Sequence, residues 1–525
     1  MLSNYLGATV ALTADLALIN ANVKTMNPRQ PLAQAIAIIK NRILKVGTNQ
    51  EIKKLIAKNT KVVSLDGKTI VPGLIDTHIH VADFGRCQMW LDLSGAHSIK
   101  TLQSLLKEKA KQIPPGKWIV GRGWNENCFK EKRLLTLSDL DTAAPDNPVI
   151  LYHGAVYACV VNSKALAVAG VTSKTAVPLG GIIDKTETGE LFGVFRGSAT
   201  NMIWQVVPEP SLEELANTTA VACQKIVESG ITSVNWIILQ EKELTLIQTL
   251  HKQGKLPFRV NVIVPFEFLN LVSRFASNDP LWLRLGGVII FTDGYLDSKT
   301  AALIKPYNDD PNNIGKMLCT QQELATSVEQ VLTYGLQPVI HAMGDRAIDK
   351  ALNVIEQFPK EVRFRIEQAA VLSSQLVHRL KNHNIVVSVQ PTMVPTEFKV
   401  WSATKSLGVM RANWLHPFKT LLNEGIKVAG GSDCPMEPLN PLLGMQETIV
   451  RESTPEQSLT FEEALGMYTL GAAYCSCEEN VKGSIEEGKL ADLTVLSSDL
   501  SAMEKKKIKD IKVEMIIVDG KVIIP

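Results

Sequence analysis

Eight short apolar segments, separated by stretches of helical periodicity, constrain this chain more than any other feature. They are TIVPGLIDTHIH (69–80), ITSVNW (231–236), FRVNVIV (258–264), GGVIIFTDG (286–294), QPVIHAMGD (337–345), RFRIEQA (363–369), IVVSVQP (385–391) and IKVAGGSD (426–433). Strands that alternate with amphipathic helices pair in parallel, because each crossover returns the chain to the same end of the sheet. Eight such units close into a (β/α)8 TIM barrel, whose catalytic side chains stand at the C-terminal ends of the strands. The intervening helices carry proper starts: Ser211 with Glu214, and Thr460 with Glu463, match the capping box.

The two ends of the chain read differently. Residues 10–70 and 480–525 are short apolar runs broken by turns, with Asp519-Gly520 as a hairpin signal. They are expected to form the two parts of one small β-sandwich, leaving 71–479 as the barrel. Within the barrel, 81–230 breaks the strand–helix rhythm. It is expected to be an insertion over the active face, with substrate contacts around 121–127 and 152–162.

Composition narrows the function. The 55 basic and 53 acidic residues nearly cancel, to a net charge of +2, so no field for nucleic acid is built in and a small-molecule partner is expected. The dense basic run Lys505, Lys506, Lys507, Lys509 and Lys512 reads as a solvated linker. No segment has 18 consecutive apolar residues, and the opening MLSNYLGATVAL lacks the basic region and apolar core of a signal peptide. No membrane span is therefore expected. The eight dispersed cysteines need no disulfide framework and fit a reducing cytoplasm. Homo-oligomers are compatible with all of this. A redox role is disfavoured, because no glycine-rich fingerprint follows a strand and Cys475-Ser476-Cys477 lacks the spacing of a redox pair.

His78 and His80 alternate with Ile79 at the end of the first predicted strand, so both imidazoles point to the same face. Alone, the pair is either a ligand pair or a polar strand end. Its weight rises because His341 ends the fifth predicted strand and Asp433 the eighth, although the whole chain has only nine histidines. Three imidazoles and one carboxylate suit one divalent ion, zinc before iron or manganese, with a position open for water.

The motifs VPGLIDTHIH, GRGWNEN, VNSKAL, FTDGYLDSKTAAL, HAMGDRAID, RIEQA, VQPT, GGSDCP and GSIEEGKLADLTVL resemble the amidohydrolase superfamily, specifically its family 3 branch, which includes N-substituted formamide deformylases. The resemblance spans nearly the whole chain. It implies the same barrel flanked by a sheet domain, and hydrolysis of carbon–nitrogen bonds other than peptide bonds by metal-activated water. In that scheme Asp433 is both metal ligand and catalytic base, passing the water proton to the leaving nitrogen.

Departures from the family are as informative. Relatives carry a fourth-strand lysine that, once carboxylated, bridges two metals, whereas this chain has Ile289. Relatives read RIEH where this chain has Gln368, and an amide is a poorer ligand than imidazole for zinc or iron. One ion rather than two is expected, on His78, His80, His341 and Asp433. Gln368 either hydrogen-bonds substrate or is satisfied by its neighbours, and Glu367 is expected to pair with Arg365. Asp293, Gly294 and Asp345 either orient ligands or serve turns. Trp124, Asn125 and His153 are candidates to line the substrate pocket. Ala155, Val156 and Tyr157 stand where relatives read Asp-Gly-His and make that pocket less polar. The rival expectation is a catalytically impaired amidohydrolase fold with a binding or scaffolding role.

Overall fold

The apolar run at 69–80 serves two sheets rather than one. Thr69–Pro72 is a strand of a terminal sheet and Leu74–Ile79 the first strand of the barrel. Between them the Gly73 N–H bonds to the Asp492 carbonyl. A Cβ on Gly73 would stand 2.2 Å from Thr232 Oγ1, so only glycine allows this close passage. The structure, a computed structural model, describes residues 12–153, 158–178 and 181–523. The opening of the chain and Ala155, Val156 and Tyr157 lie outside the described residues.

The chain forms two units by contact, residues 1–83 with 220–525 and residues 84–219. The first contains the eight-stranded sheet. After Leu74–Ile79 follow Ile231–Ile237, Arg259–Pro265, Leu283–Phe291, Gln337–Ala342, Phe364–Gln368, Ile385–Val389 and Lys427–Gly430. Each strand pairs in parallel with the next. The last strand meets the first through the Asp433 N–H on the His78 carbonyl and the His80 N–H on the Cys434 carbonyl, which closes a TIM barrel. The fourth strand begins at Leu283, earlier than its apolar pattern suggests, because Arg284, Gly286 and Gly287 interrupt the hydrophobic run.

The terminal segments make two further sheets in the same unit. One orders Arg42–Gly47, Ala35–Ile39, Leu16–Ile19 and Lys61–Ser64. The other orders Lys521–Ile523, Val513–Val518, Leu493–Leu496, Thr69–Pro72, Asn22–Lys24 and Leu32–Ala33. Their apolar faces share one core, in which Leu18, Ile36 and Ile38 meet Ile70, Leu493, Val495 and Ile517, the packing of a sandwich. The hairpin at Asp519-Gly520 has both residues at positive φ, 56° and 71°, as a tight two-residue turn demands. Buried Arg259, on the third barrel strand, bonds Asp492 at 2.6 and 3.0 Å and ties the sandwich to the barrel.

The basic run near the C-terminus is not a free linker. Lys505–Asp510 is a 3-10 helix with Ile508 buried, and Lys506 and Lys507 pair with Glu452 and Glu504 on the surface. The sequence pattern missed it because one apolar residue anchors it.

Residues 84–219 carry their own six-stranded sheet, ordered Gly181–Lys185, Leu191–Gly197, Ala158–Val161, Val149–His153, Ile119–Trp124 and Leu91–Asp92. One face holds a core around Leu102, Trp124, Phe129 and Leu151. The other holds Ile150, Phe195 and Ile203.

Candidate metal centre

The centre is built by the strand period of two. His341 on the fifth strand lies in register with Glu367 on the sixth, which lies in register with Ser388 on the seventh. Residues paired in this way point to the same side, here the barrel interior. From the first strand His78 joins them: its Nδ1 bonds Glu367 Oε2 at 2.6 Å. Glu367 is also bonded by the guanidinium of Arg365, which further donates to the Thr77 carbonyl. The expected Arg365–Glu367 pair is therefore present and carries a histidine as well.

The chemistry of a ligand set follows from these contacts. With Nδ1–H given to Glu367, the free lone pair of His78 lies on Nε2. His80 does the same through the Ile237 carbonyl, 3.0 Å from its Nδ1. Both Nε2 atoms converge on Asp433 Oδ1, at 3.5 Å from His78 and 3.3 Å from His80. Ligand atoms of His78, His80 and Asp433 all lie within 4.8 Å of one another, the one such group among the described residues. Acceptors on the far nitrogen fix tautomer and ring orientation, the usual support of metal-bound imidazoles.

Asp433 lies three residues beyond Gly430, the end of the eighth strand, with φ at 57°. This left-handed backbone is costly for a non-glycine residue and persists only where its surroundings impose it. Asp76 supplies part of that constraint, since its Oδ1 accepts the N–H of both His78 and Ser432 at 3.0 and 2.9 Å. Gln368, also at positive φ, 70°, donates from Nε2 to Asp433 Oδ2 at 3.1 Å. Its Oε1 has no partner, although the residue is fully buried.

Electrostatics agree with a site that expects a cation. Burial opposes the charged form of His80, but the hydrogen bond and charge of Asp433 outweigh it and push the pKa up to about 9. Asp433 is held below the usual carboxylate range by the nearby histidines in spite of burial. Burial and then the charge of His78 push His341 down to about 4, so it is neutral at neutral pH and ready to ligate, whereas His80 would have to release its proton to do so. Both of its ring nitrogens lack a hydrogen-bond partner at zero exposure, and Asp293 Oδ1 stands 3.6 Å from Nδ1. A fully buried imidazole with two orphaned nitrogens fits one that completes a metal's coordination. Its atoms do not belong to the tight trio of His78, His80 and Asp433.

Ile289 offers nothing to a metal. It packs with Ile237, Ile263 and Val339 in an apolar plug. Asp293 accepts the backbone N–H groups of Ala302, Met343 and Gly344, and Asp345 accepts that of Ile304, so both brace loops. The pocket candidates of residues 84–219 each have a partner inside that unit. Trp124 is buried in its core, with the indole N–H on the Leu151 carbonyl. Asn125 closes a turn through the Asn127 N–H, and His153 faces Glu126 at 3.1 Å. Trp124 is thus placed as a packing residue, a role that an apolar ring in a polar motif did not reveal.

The chain matches the model of the amidohydrolase family over residues 61–524, and it belongs to that family. It is similar to YtcJ of Bacillus subtilis (strain 168), at 32% identity with 95% of this chain and 98% of the relative covered. It is also similar to N-substituted formamide deformylase of Arthrobacter pascens, at 27% identity with 96% and 97% covered. Among solved structures, a metal-dependent hydrolase from Pyrococcus horikoshii OT3 superposes with a TM-score of 0.79 at 28% identity, covering 93% of this chain and 99% of that one. The protein is accordingly a hydrolase of the metal-dependent amidohydrolase type. The rival of a barrel reduced to scaffolding is not favoured. No helix among the described residues is long and apolar enough to cross a membrane.

Proposed function

We propose that this hydrolase cleaves a carbon–nitrogen bond other than a peptide bond in a small amide, formamide-like or cyclic amide substrate, with one divalent ion, zinc, held by His78, His80, His341 and Asp433. The observation that carries the reading is the convergence of two Nε2 atoms on one oxygen of a buried carboxylate; the apolar packing of Ile289, which offers no oxygen to a second ion, supports one metal rather than two. A divalent ion in such a set acidifies water and polarises a carbonyl.

The protein's own groups do the rest. Asp433 takes the proton of the attacking water and returns it to the departing nitrogen, help worth roughly 10² to 10⁴ in rate. Gln368 Nε2 steadies the outer oxygen of that carboxylate, while Glu367 and the Ile237 carbonyl hold the imidazoles of His78 and His80 in the tautomer that leaves Nε2 free. The resemblance to a formamide deformylase supports N-formyl amines as the first substrates to try. The test is hydrolysis of a panel of N-formyl amines, N-acyl amines and cyclic amides by protein of known metal content. Turnover that needs the metal and disappears in Asp433→Asn is expected. No turnover on the whole panel by metal-loaded protein would reject the reading.

A further inference from the structure

Three carboxylates on segments that follow barrel strands take no part in the metal centre. Asp297 follows the fourth strand, Glu397 the seventh and Glu437 the eighth. The Met436 N–H returns to the Asp433 carbonyl, which sets Glu437 just beyond the ligand. Glu437 lies within electrostatic reach of Thr396, the residue before Glu397. Leu296, before Asp297, shares an apolar cluster with Phe398 and Trp401 on the Glu397 segment. The three acids thus gather beside Asp433. Burial, followed by repulsion from Asp433, Glu397 and Asp297, pushes Glu437 up to about 8, whereas Asp297 itself is exposed.

Carboxylates are crowded in this way at a cost unless a cation joins them. Glu397 gives Oε2 to His416 at 2.6 Å, yet its Oε1 has no partner although the residue is 5% exposed. Arg451 acts on Glu397 from a distance, but its bonds go to Thr454 and Leu415.

A separate observation points to a ligand. Gln390 is fully buried, and neither its amide oxygen nor its amide nitrogen has a partner. It alternates with Ser388, whose hydroxyl meets that of Thr77 inside the barrel at 2.9 Å. Gln390 therefore faces the same interior, one step nearer the mouth. Tyr295, with its ring 5.3 Å from that of His341 and 41% exposed, adds an aromatic face of the kind that attracts organic cations.

An inorganic ion is the wrong size for the three acids. Among the described residues only His78, His80 and Asp433 bring ligand atoms within 4.8 Å of one another, so Asp297, Glu397 and Glu437 do not form a metal cage. We propose that the substrate carries a positively charged nitrogen, an ammonium or amidinium, which Glu397 and Glu437 hold, with Asp297 adding charge, while its scissile bond lies at the metal centre. Which bond is cleaved rests on the hydrolytic reading above; binding of the cation does not.

Two measurements on metal-loaded full-length protein test this. In the first, pentyltrimethylammonium, which cannot ligate a metal, and 1-pentanol are titrated calorimetrically. In the second, mono-N-formyl diamines of three to six carbons are compared with N-formyl alkylamines of equal length. The cationic probe is expected to bind at least tenfold tighter than the alcohol. The best ammonium-bearing formamide should exceed its neutral partner at least tenfold in kcat/KM, and both ratios should collapse in Glu437→Gln and Glu397→Gln at unchanged metal content. If Glu397→Gln fails to fold for want of its His416 contact, the half-buried Glu437→Gln decides. Tight cation binding that these variants abolish, with no turnover of any formamide, would uphold the cation site and reject the hydrolytic reading. Equal binding of the two probes, or a preference indifferent to the variants, would overturn the inference whether or not formamides are cleaved.

Discussion

Replacing Glu367 with Gln separates the two tasks of that side chain. Its Oε2 lies 2.6 Å from His78 Nδ1, and Arg365 and His78 hold its carboxyl below the usual range in spite of full burial. The variant keeps a carbonyl oxygen for one neighbour but loses the charge that serves both. Losing the carboxylate behind a metal-bound imidazole typically costs 10- to 100-fold in metal affinity, about 1.4 to 2.7 kcal/mol. Leaving Arg365 buried without its counter-charge adds a penalty to the fold itself of roughly 3 kcal/mol or more. Zinc affinity by chelator competition, and denaturant unfolding of the metal-free protein, measure the two effects separately. Wild-type zinc affinity in a variant that has lost several kcal/mol of fold stability would refute the reasoning, since Glu367 would then serve Arg365 alone.

Elemental analysis should find one ion per chain, with His341→Ala losing most of it and Gln368→Ala nearly none; two equivalents would show that other carboxylates complete a second site. The pair Ile289→Lys and Gln368→His should raise the stoichiometry toward two. In the metal-free protein, His341 is pushed down to about 4, so the unfolded chain takes up this proton first as the pH drops. Stability is therefore lost from about pH 6.5 toward 4, by on the order of 3 kcal/mol. His80, pushed up to about 9, stabilises fully below its unfolded value and loses that contribution as pH rises through 9. Unfolding in chelator should thus show a maximum near pH 6.5 from these two groups, with a flatter acid limb in His341→Asn; an unchanged acid limb would contradict the assignment. A fragment ending at residue 480 should aggregate, because it strips Leu493–Leu496 from the edge of Thr69–Pro72.

Much of the barrel was legible because parallel strands are buried on both faces and read as continuous apolar runs. The four proposed ligands were legible because they stand at, or within three residues of, strand ends, where few other histidines occur. Asp433 reads as a strand end in sequence, but its backbone turns left-handed in a loop, which no propensity predicts. Glu367 and Gln368 were ambiguous because sequence shows alternation but not which oxygen meets which ring. Asp76 gave no signal, since an aspartate in an apolar run reads as a strand polarity rather than a clamp on two backbone N–H groups. The acids at 297, 397 and 437 were invisible as a group because only the barrel brings three distant loops to one mouth.

The glycine at which one apolar run passes from sandwich to barrel also orders events in time. The Leu74 N–H reaches Thr494 Oγ1 across 420 residues of chain, so the strand bearing His78 and His80 emerges from the ribosome long before the segment that pins its lower end. At a synthesis rate of roughly 5–20 residues per second, that strand waits tens of seconds for its partner. Until residue 433 is made, His78 and His80 lack the carboxylate on which their Nε2 atoms converge. The trio of His78, His80 and Asp433 is therefore complete only late in synthesis.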